Sequence, residues 1–299
     1  MTDPPPEVVE LAERRSQARQ ARDFAAADQL RDQLHQLGWL VTDSGQGFSL
    51  HQPPPYEVLP NPEAVPQASS GQPWRASAAL LVEGYPDDLR DCVTALLAVA
   101  PAEVRIIALD IGNESGAGDV LHELAVASGG RLAEWHVAAS KGWGVARNAL
   151  LRADTAPVHV LMETSTILTG DAITPLLAAL ADPAVVAAGW RGADPDPDLR
   201  SFHDAGPGEV TALLSYLMAV RTEAALQAGG LPAGARYYRN ADLEFSLRLG
   251  KVGKLVVPDQ PLPVRQATHR GYHDADPQYR EAESRRNYRR VLDLLREGS

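Results

Sequence analysis

The chain has 299 residues and one cysteine, Cys92. A lone thiol excludes an internal disulfide and fits a reducing compartment, so a cytoplasmic location is expected. Cys92 is expected to pack as a small hydrophobe in a helix. No stretch approaches the roughly 18 apolar residues that a membrane span requires. The first ten residues are acidic and proline-rich and lack a basic segment followed by an apolar one, so a secretory leader is not expected. Positive charge is also short: 28 Lys plus Arg stand against 39 Asp plus Glu, for a net charge of −11. That balance argues against a broad nucleic-acid surface and leaves room for a local basic pocket for phosphate. No G-x-G-x-x-G follows the first strand of the main domain, which argues against a dinucleotide-dependent dehydrogenase. What is present is ordinary for a globular protein, with 44% apolar and 22% charged residues, enough for one large domain and a small one.

Three zones differ in composition. Residues 1–51 predict a helical hairpin: a helix over Glu7–Ala21, a cap at Asp23, and a second helix with Ala27, Leu30, Leu34 and Leu37 at helical spacing, ended by Gly38. Trp39–Val41 and Phe48–Leu50 then flank a turn-rich run, which predicts a short β-hairpin. Residues 52–74 carry Pro53, Pro54, Pro55, Pro60, Pro62, Pro66 and Pro73 and read as a stiff linker. Residues 75–299 form the main domain.

In that main domain near-continuous apolar runs alternate with helical patterns. Strands are expected at Ala78–Val82, Val104–Leu109, Leu132–Val137, Val158–Met162 and Val185–Gly189, with helices over Asp87–Val99, Asp119–Ala127, Trp143–Ala153 and Asp171–Leu180. The pattern predicts an α/β fold with a mostly parallel sheet covered by helices. Ligands of such sheets collect at the carboxyl ends of the strands, which points to Asp110 and Glu163.

Four segments carry candidate chemistry. Asp110-Ile111-Gly112-Asn113 ends a strand with an acid that can receive a sugar or base hydroxyl. Ser140-Lys141-Gly142-Trp143-Gly144-Val145-Ala146-Arg147-Asn148 places glycines ahead of a helix, whose N–H groups can approach an anion, with Lys141 and Arg147 adding charge. It is not a P-loop, since no GK[ST] follows. Glu163-Thr164-Ser165 leaves a buried strand with a carboxylate and hydroxyls, enough for a Mg²⁺ or Mn²⁺ whose shell is completed by phosphates and water. Asn240-Ala241-Asp242-Leu243-Glu244 puts two acids at a helix start.

In this order the segments resemble a family-2 glycosyltransferase of the GT-A fold, over residues 76–272. The resemblance implies an inverting transfer from a nucleotide-diphosphate sugar to an acceptor hydroxyl. It implies Asp242 as the catalytic base, and Asp110, Asn113, Lys141, Arg147 and Glu244 as nucleotide-sugar-binding residues. It also implies a divalent cation, Mg²⁺ or Mn²⁺, at Glu163, Ser165 and His269. Ser165 stands where the family has a second acid, so a weakened cation site is expected, and a non-catalytic nucleotide-sugar-binding or regulatory protein is the alternative. The last helix, started by Pro277, carries Arg285, Arg286, Arg289 and Arg290 on a face expected to be solvated; an anionic lipid surface, and so a peripheral membrane contact, is a secondary partner class. Separately, Arg14–Leu34 with Gly38 and Asp43 resembles the small C-terminal domain of cysteinyl-tRNA synthetases. That implies a tRNA-associated protein as a further alternative, but residues 1–50 hold five Arg and no Lys against eight Asp plus Glu. A docking hairpin is therefore preferred over RNA binding.

Overall fold

The computed structural model describes residues 3–44, 47–67, 74–112 and 116–297. The chain divides into two compact units, Met1–Glu57 and Val58–Ser299. In the first, α1 (Pro6–Gln20) and α2 (Phe24–Gln36) precede a hairpin of β1 (Leu40–Ser44) and β2 (Gly47–His51). Asp23 caps α2, its side chain accepting from the Ala26 N–H at 3.1 Å. Val8, Ala12, Leu34 and Trp39 form a small buried cluster. Arg15, itself buried, closes it with a two-pronged pair onto Asp43 at 2.7 and 3.0 Å.

The second unit opens with β3 (Val58–Leu59), β4 (Ala76–Val82), α3 (Pro86–Val99), β5 (Val104–Asp110), α4 (Ala117–Ala127), β6 (Leu132–Val137), α5 (Trp143–Ala153) and β7 (Val158–Met162). Next come β8 (Thr166–Leu168), α6 (Ile173–Ala179), β9 (Val185–Gly189), β10 (Gly192–Pro195), β11 (Phe202–Ala205), β12 (Gly208–Val210), β13 (Ala212–Leu213) and β14 (Leu217–Arg221). The unit ends with α7 (Thr222–Gln227), α8 (Ala241–Leu249), β15 (Lys254–Val257), β16 (Val264–Gln266), α9 (Arg270–His273) and α10 (Pro277–Glu297). Among the described residues nine strands make one sheet in the order β12-β15-β9-β14-β7-β4-β5-β6-β3. Pairing is parallel from β7 through β4, β5 and β6 to β3, and between β9 and β15; β14 runs antiparallel between β7 and β9.

The five predicted strands and four predicted helices are all present. Alternate residues of each strand enter opposite cores, as a period of two requires. Ala79, Leu81, Ile107, Leu109 and Leu161 meet α5 and α8 on one face. Ala78, Leu80, Ile106, Ala108 and Val160 meet α3, α4 and α6 on the other. Part of the proline-rich stretch is packed: β3 adds to the sheet edge beside β6, and Val65 joins the core. Cys92 is buried in α3, as expected; burial pushes its thiol up to about 12, and its Sγ donates to the Thr166 carbonyl at 3.4 Å. No helix among the described residues is long and apolar enough to cross a membrane.

Candidate active site

Three carboxylates stand at the tips of neighbouring parallel strands: Glu83 just past β4, Asp110 at the end of β5 and Glu163 just past β7. A fourth, Asp242, comes from the first turn of α8. A short segment between β13 and β14 ties two of them together. The Tyr216 carbonyl accepts the Glu163 N–H at 3.3 Å, while the Ser215 N–H donates to Asp242 Oδ2 at 3.1 Å. Asp242 Oδ1 takes a second N–H, from Leu243 at 3.0 Å. Burial raises the Asp242 carboxyl to about 6 against these two donors, and the Glu163 charge adds to the rise.

Glu163 is buried and pinned from below. Arg147, fully buried, donates from Nη2 to Glu163 Oε1 at 2.8 Å and to the Met162 carbonyl at 3.1 Å, and from Nη1 to the Ala79 carbonyl at 2.8 Å. Arg147 thus lies beneath the cleft. Expected to bind the nucleotide sugar, it is placed instead to hold Glu163.

The glycine-rich segment also differs from its expected use. The Trp143 and Gly144 N–H groups donate to the carbonyls of Arg236 and Ala235 at 3.1 and 2.9 Å, so protein backbone occupies the expected anion cradle. The glycines permit this approach. A Cβ on Gly144 would stand 1.9 Å from the Pro232 oxygen, and one on Gly142, at φ 100°, 2.9 Å from the Arg236 Cα. Lys141 lies ahead of this segment, paired with Glu63 at 2.9 Å, on the wall of a cavity of about 690 Å³ that also includes Glu83, Tyr85, Arg236, Tyr237 and Asp274. Glu83 is exposed to solvent there, and crowding by the surrounding protein, and then the Glu163 charge, push its carboxyl upward.

Ser165 and His269, far apart in sequence, meet: Ser165 Oγ and His269 Nδ1 are 2.9 Å apart, and Gln266 Nε2 donates to the same hydroxyl at 2.9 Å. His269 Nε2 is buried with no hydrogen-bond partner among the described residues. The ring packs edge-on to Tyr238 with centroids 4.5 Å apart. Burial lowers the His269 pKa although Glu163 pulls the other way, so the imidazole stays neutral and able to ligate. Among the described residues no three His, Cys, Asp or Glu side chains gather tightly enough to cage a metal ion. Glu163 and the orphaned His269 nitrogen do suit a hard cation held jointly with a diphosphate and water.

Asp110 is buried at the tip of β5, two strands from Glu163, a separation of about 10 Å at the usual strand spacing. Its Oδ2 meets His136 Nδ1 at 3.2 Å, and His136 Nε2 meets Glu134 at 3.0 Å. Asp110 Oδ1 is buried without a hydrogen-bond partner among the described residues. Asn113 lies outside the described residues. Glu244 turns away from the cleft, because two residues along a helix is a rotation of roughly 200°. Its carboxylate accepts Arg290 Nε from α10 at 2.7 Å. The nucleotide-sugar role expected of Glu244 is therefore replaced by a helix-to-helix tie, and Arg290 is taken out of the solvated face expected for α10.

Sequence reasoning passed over Glu83, His136, Tyr216 and Tyr238. Glu83 was within reach, since it follows a buried strand just as Glu163 does. Tyr216 and Tyr238 lie in connections whose path only the fold defines.

Residues 1–48 match the cysteinyl-tRNA ligase anticodon binding domain. A cysteine–tRNA ligase of Caldicellulosiruptor saccharolyticus is 51% identical over 48 residues, 16% of this chain and 10% of the relative. One from Opitutus terrae is 50% identical over 46 residues, 15% of this chain and 10% of the relative. The chain thus spans about a tenth of the length of these relatives. Among solved structures, a mannosyltransferase from Pyrobaculum calidifontis, in complex with GDP-Man and Mn²⁺, superposes with a TM-score of 0.55 at 17% identity, over 81% of this chain and 72% of the other. GalNAc-T7 with UDP, GalNAc and Mn²⁺ superposes with a TM-score of 0.60 at 14% identity, over 75% and 48%. The second unit has the GT-A fold.

Proposed function

We propose that the second unit transfers a sugar from a nucleotide-diphosphate donor to an acceptor hydroxyl, with inversion at the anomeric carbon. The observation that carries this reading is Asp242: a buried carboxyl, held by two backbone N–H groups beside Glu163, with its pKa raised to about 6. A base of that strength ionises near neutral pH and still accepts a proton readily. The acceptor oxygen attacks the anomeric carbon as its proton passes to Asp242. The bond from that carbon to the phosphate oxygen breaks, and the nucleoside diphosphate leaves with the electron pair. Ser215 and Leu243 hold the base in place. Arg147 is a positioning residue that fixes Glu163. Asp110, steadied by His136, and Asn113 receive the nucleoside, and Lys141 exchanges Glu63 for donor phosphate. A divalent cation, Mg²⁺ or Mn²⁺, would be held by Glu163 and His269, with Ser165 orienting the imidazole, and would neutralise the departing diphosphate.

The fold likeness to nucleotide-sugar complexes supports the donor class. Calorimetry with UDP, GDP and their sugars, with and without Mn²⁺, tests it: tighter binding with the metal is expected. Asp242→Asn is expected to lower transfer by roughly 10²–10⁴-fold while nucleotide affinity holds within about twofold. Turnover at the wild-type rate in that variant removes Asp242 as the base. Binding without any turnover favours the non-catalytic reading, to which the replacement of the second acid by Ser165 lends weight. For the first unit we propose a docking hairpin. Its likeness to an anticodon-binding domain is set against its net negative charge, and a gel shift with bulk tRNA at physiological salt decides between them.

A further inference from the structure

We propose that Arg191 binds an anionic group, a phosphate or a carboxylate, on the acceptor; this rests on the transferase reading above. Arg191 follows β9 and its guanidinium stacks on Trp190, with 4.5 Å from Cζ to the ring centroid. The Tyr216 ring lies 6.0 Å away. The backbone here is fixed: the Arg191 carbonyl accepts the Leu214 N–H, and the Trp190 N–H donates to the Leu217 carbonyl, both at 2.9 Å. The guanidinium is thus held against aromatic rings, yet it forms no ion pair or hydrogen bond among the described residues. An arginine whose plane is packed and whose N–H fork is open is organised in advance for two-pronged capture of a carboxylate or phosphate.

Its place identifies which substrate carries the anion. The segment that holds Tyr216 also supplies the Ser215 N–H to Asp242, so Arg191 reaches the site from the side of the base. In an inverting displacement the base and the acceptor stand opposite the leaving diphosphate. Lys141 lies on a different wall, beside Glu83 and Tyr85. Arg191 lines a separate cavity of about 460 Å³ with Trp190, Asp204, Asp259 and Gln260. Neither acid comes within ion-pair distance of Arg191, and with Gln260 they suit hydroxyl groups. The acceptor class is therefore a hydroxylated acid or phosphoester.

The test pairs neutral acceptors with charged counterparts: glycerol against glycerate and glycerol 3-phosphate, and glucose against glucuronate and glucose 6-phosphate. Each is offered to the full chain with Mn²⁺ and a set of UDP- and GDP-sugars. Turnover is expected to favour the charged member of at least one pair by on the order of tenfold or more. The carboxylate and phosphate arms tell the two anions apart. Arg191→Met keeps the stacked stem and should abolish the preference, and Arg191→Lys should restore part of it. Nucleotide-diphosphate affinity, read by calorimetry, should hold within about twofold in Arg191→Met and reports that the variant is folded. The proposal is overturned if no pair shows a charge preference, or if the preference survives Arg191→Met. It is also overturned if that variant loses nucleotide-diphosphate affinity, which would assign the guanidinium to the donor. Absence of nucleotide binding by the wild type would instead sink the transferase reading itself.

Discussion

Asp154 and Asp242 are both buried aspartates of the second unit, at opposite ends of the same sheet. Asp154, at the end of α5, stands among the first residues of β4, β5 and β7. It accepts Ser77 Oγ at 2.6 Å, Arg105 Nη2 at 3.1 Å and the Ala156 N–H at 2.8 Å, and meets His159 Nδ1 at 2.7 Å. Burial is the largest influence and pushes its pKa up, but His159, Ser77 and Ala156 together hold it below the usual range. Asp242 is also buried, but among the described residues its side chain takes hydrogen bonds only from the Ser215 and Leu243 N–H groups, and its pKa rises to about 6. The difference separates a charge spent on structure from one kept for chemistry. A fully partnered carboxylate clamps three strands, whereas an under-partnered one retains affinity for a proton.

The contrast can be broken by substitution. Asp154→Ala strands Arg105 and His159 in the interior and is expected to cost roughly 3–5 kcal/mol, read by chemical denaturation, with turnover per folded molecule unchanged. A loss of turnover without a loss of stability would reverse the roles assigned to the two aspartates. Asp242→Asn is expected to do the opposite. Above pH 6 it should gain up to about 3 kcal/mol in stability, because the raised carboxyl must ionise in the fold at a cost.

The two carboxyls also respond to pH in opposite directions. The folded Asp242 binds its proton more tightly than the unfolded chain does. Its cost is therefore absent below about pH 4 and complete above about pH 6, and the gain from Asp242→Asn should vanish in acid. Asp154 has the opposite sign: its contribution is full above the unfolded value of 3.8 and fades as pH falls through its lowered folded value. Denaturation midpoints of both variants across pH 3 to 7 should diverge accordingly. Parallel curves would show that the two carboxyls do not differ. The smallest effect expected is that of His136→Gln, a change at a neighbour of Asp110. A severalfold rise in donor KM with kcat nearly unchanged is the expected signature of a positioning residue.

Much of the frame was legible from pattern. Apolar runs such as Val158–Met162 and the cap at Asp23 are local signals, and the structure keeps them. The antiparallel β14 and the short strands β10–β13 were not foreseen, since their pairings join residues far apart and their sequences carry no alternation of their own. At the site, strand-tip position found Asp110 and Glu163. It did not reveal that Arg147 would turn inward, because an arginine after a glycine-rich turn reads the same whether it faces a ligand or a buried carboxylate.

Hydrophobic periodicity and capping act over a few residues, and so they dictate the helices, the parallel strands and the positions where acids leave them. Which of those groups keep an open hydrogen-bonding site depends on contacts made across the fold. Backbone segments 235–236 closed over the glycine-rich turn, α10 captured Glu244, and Ser165 met His269 across 104 positions. Such partnerships set burial and hydrogen bonding, and these in turn set acidity, which no span of neighbouring residues encodes.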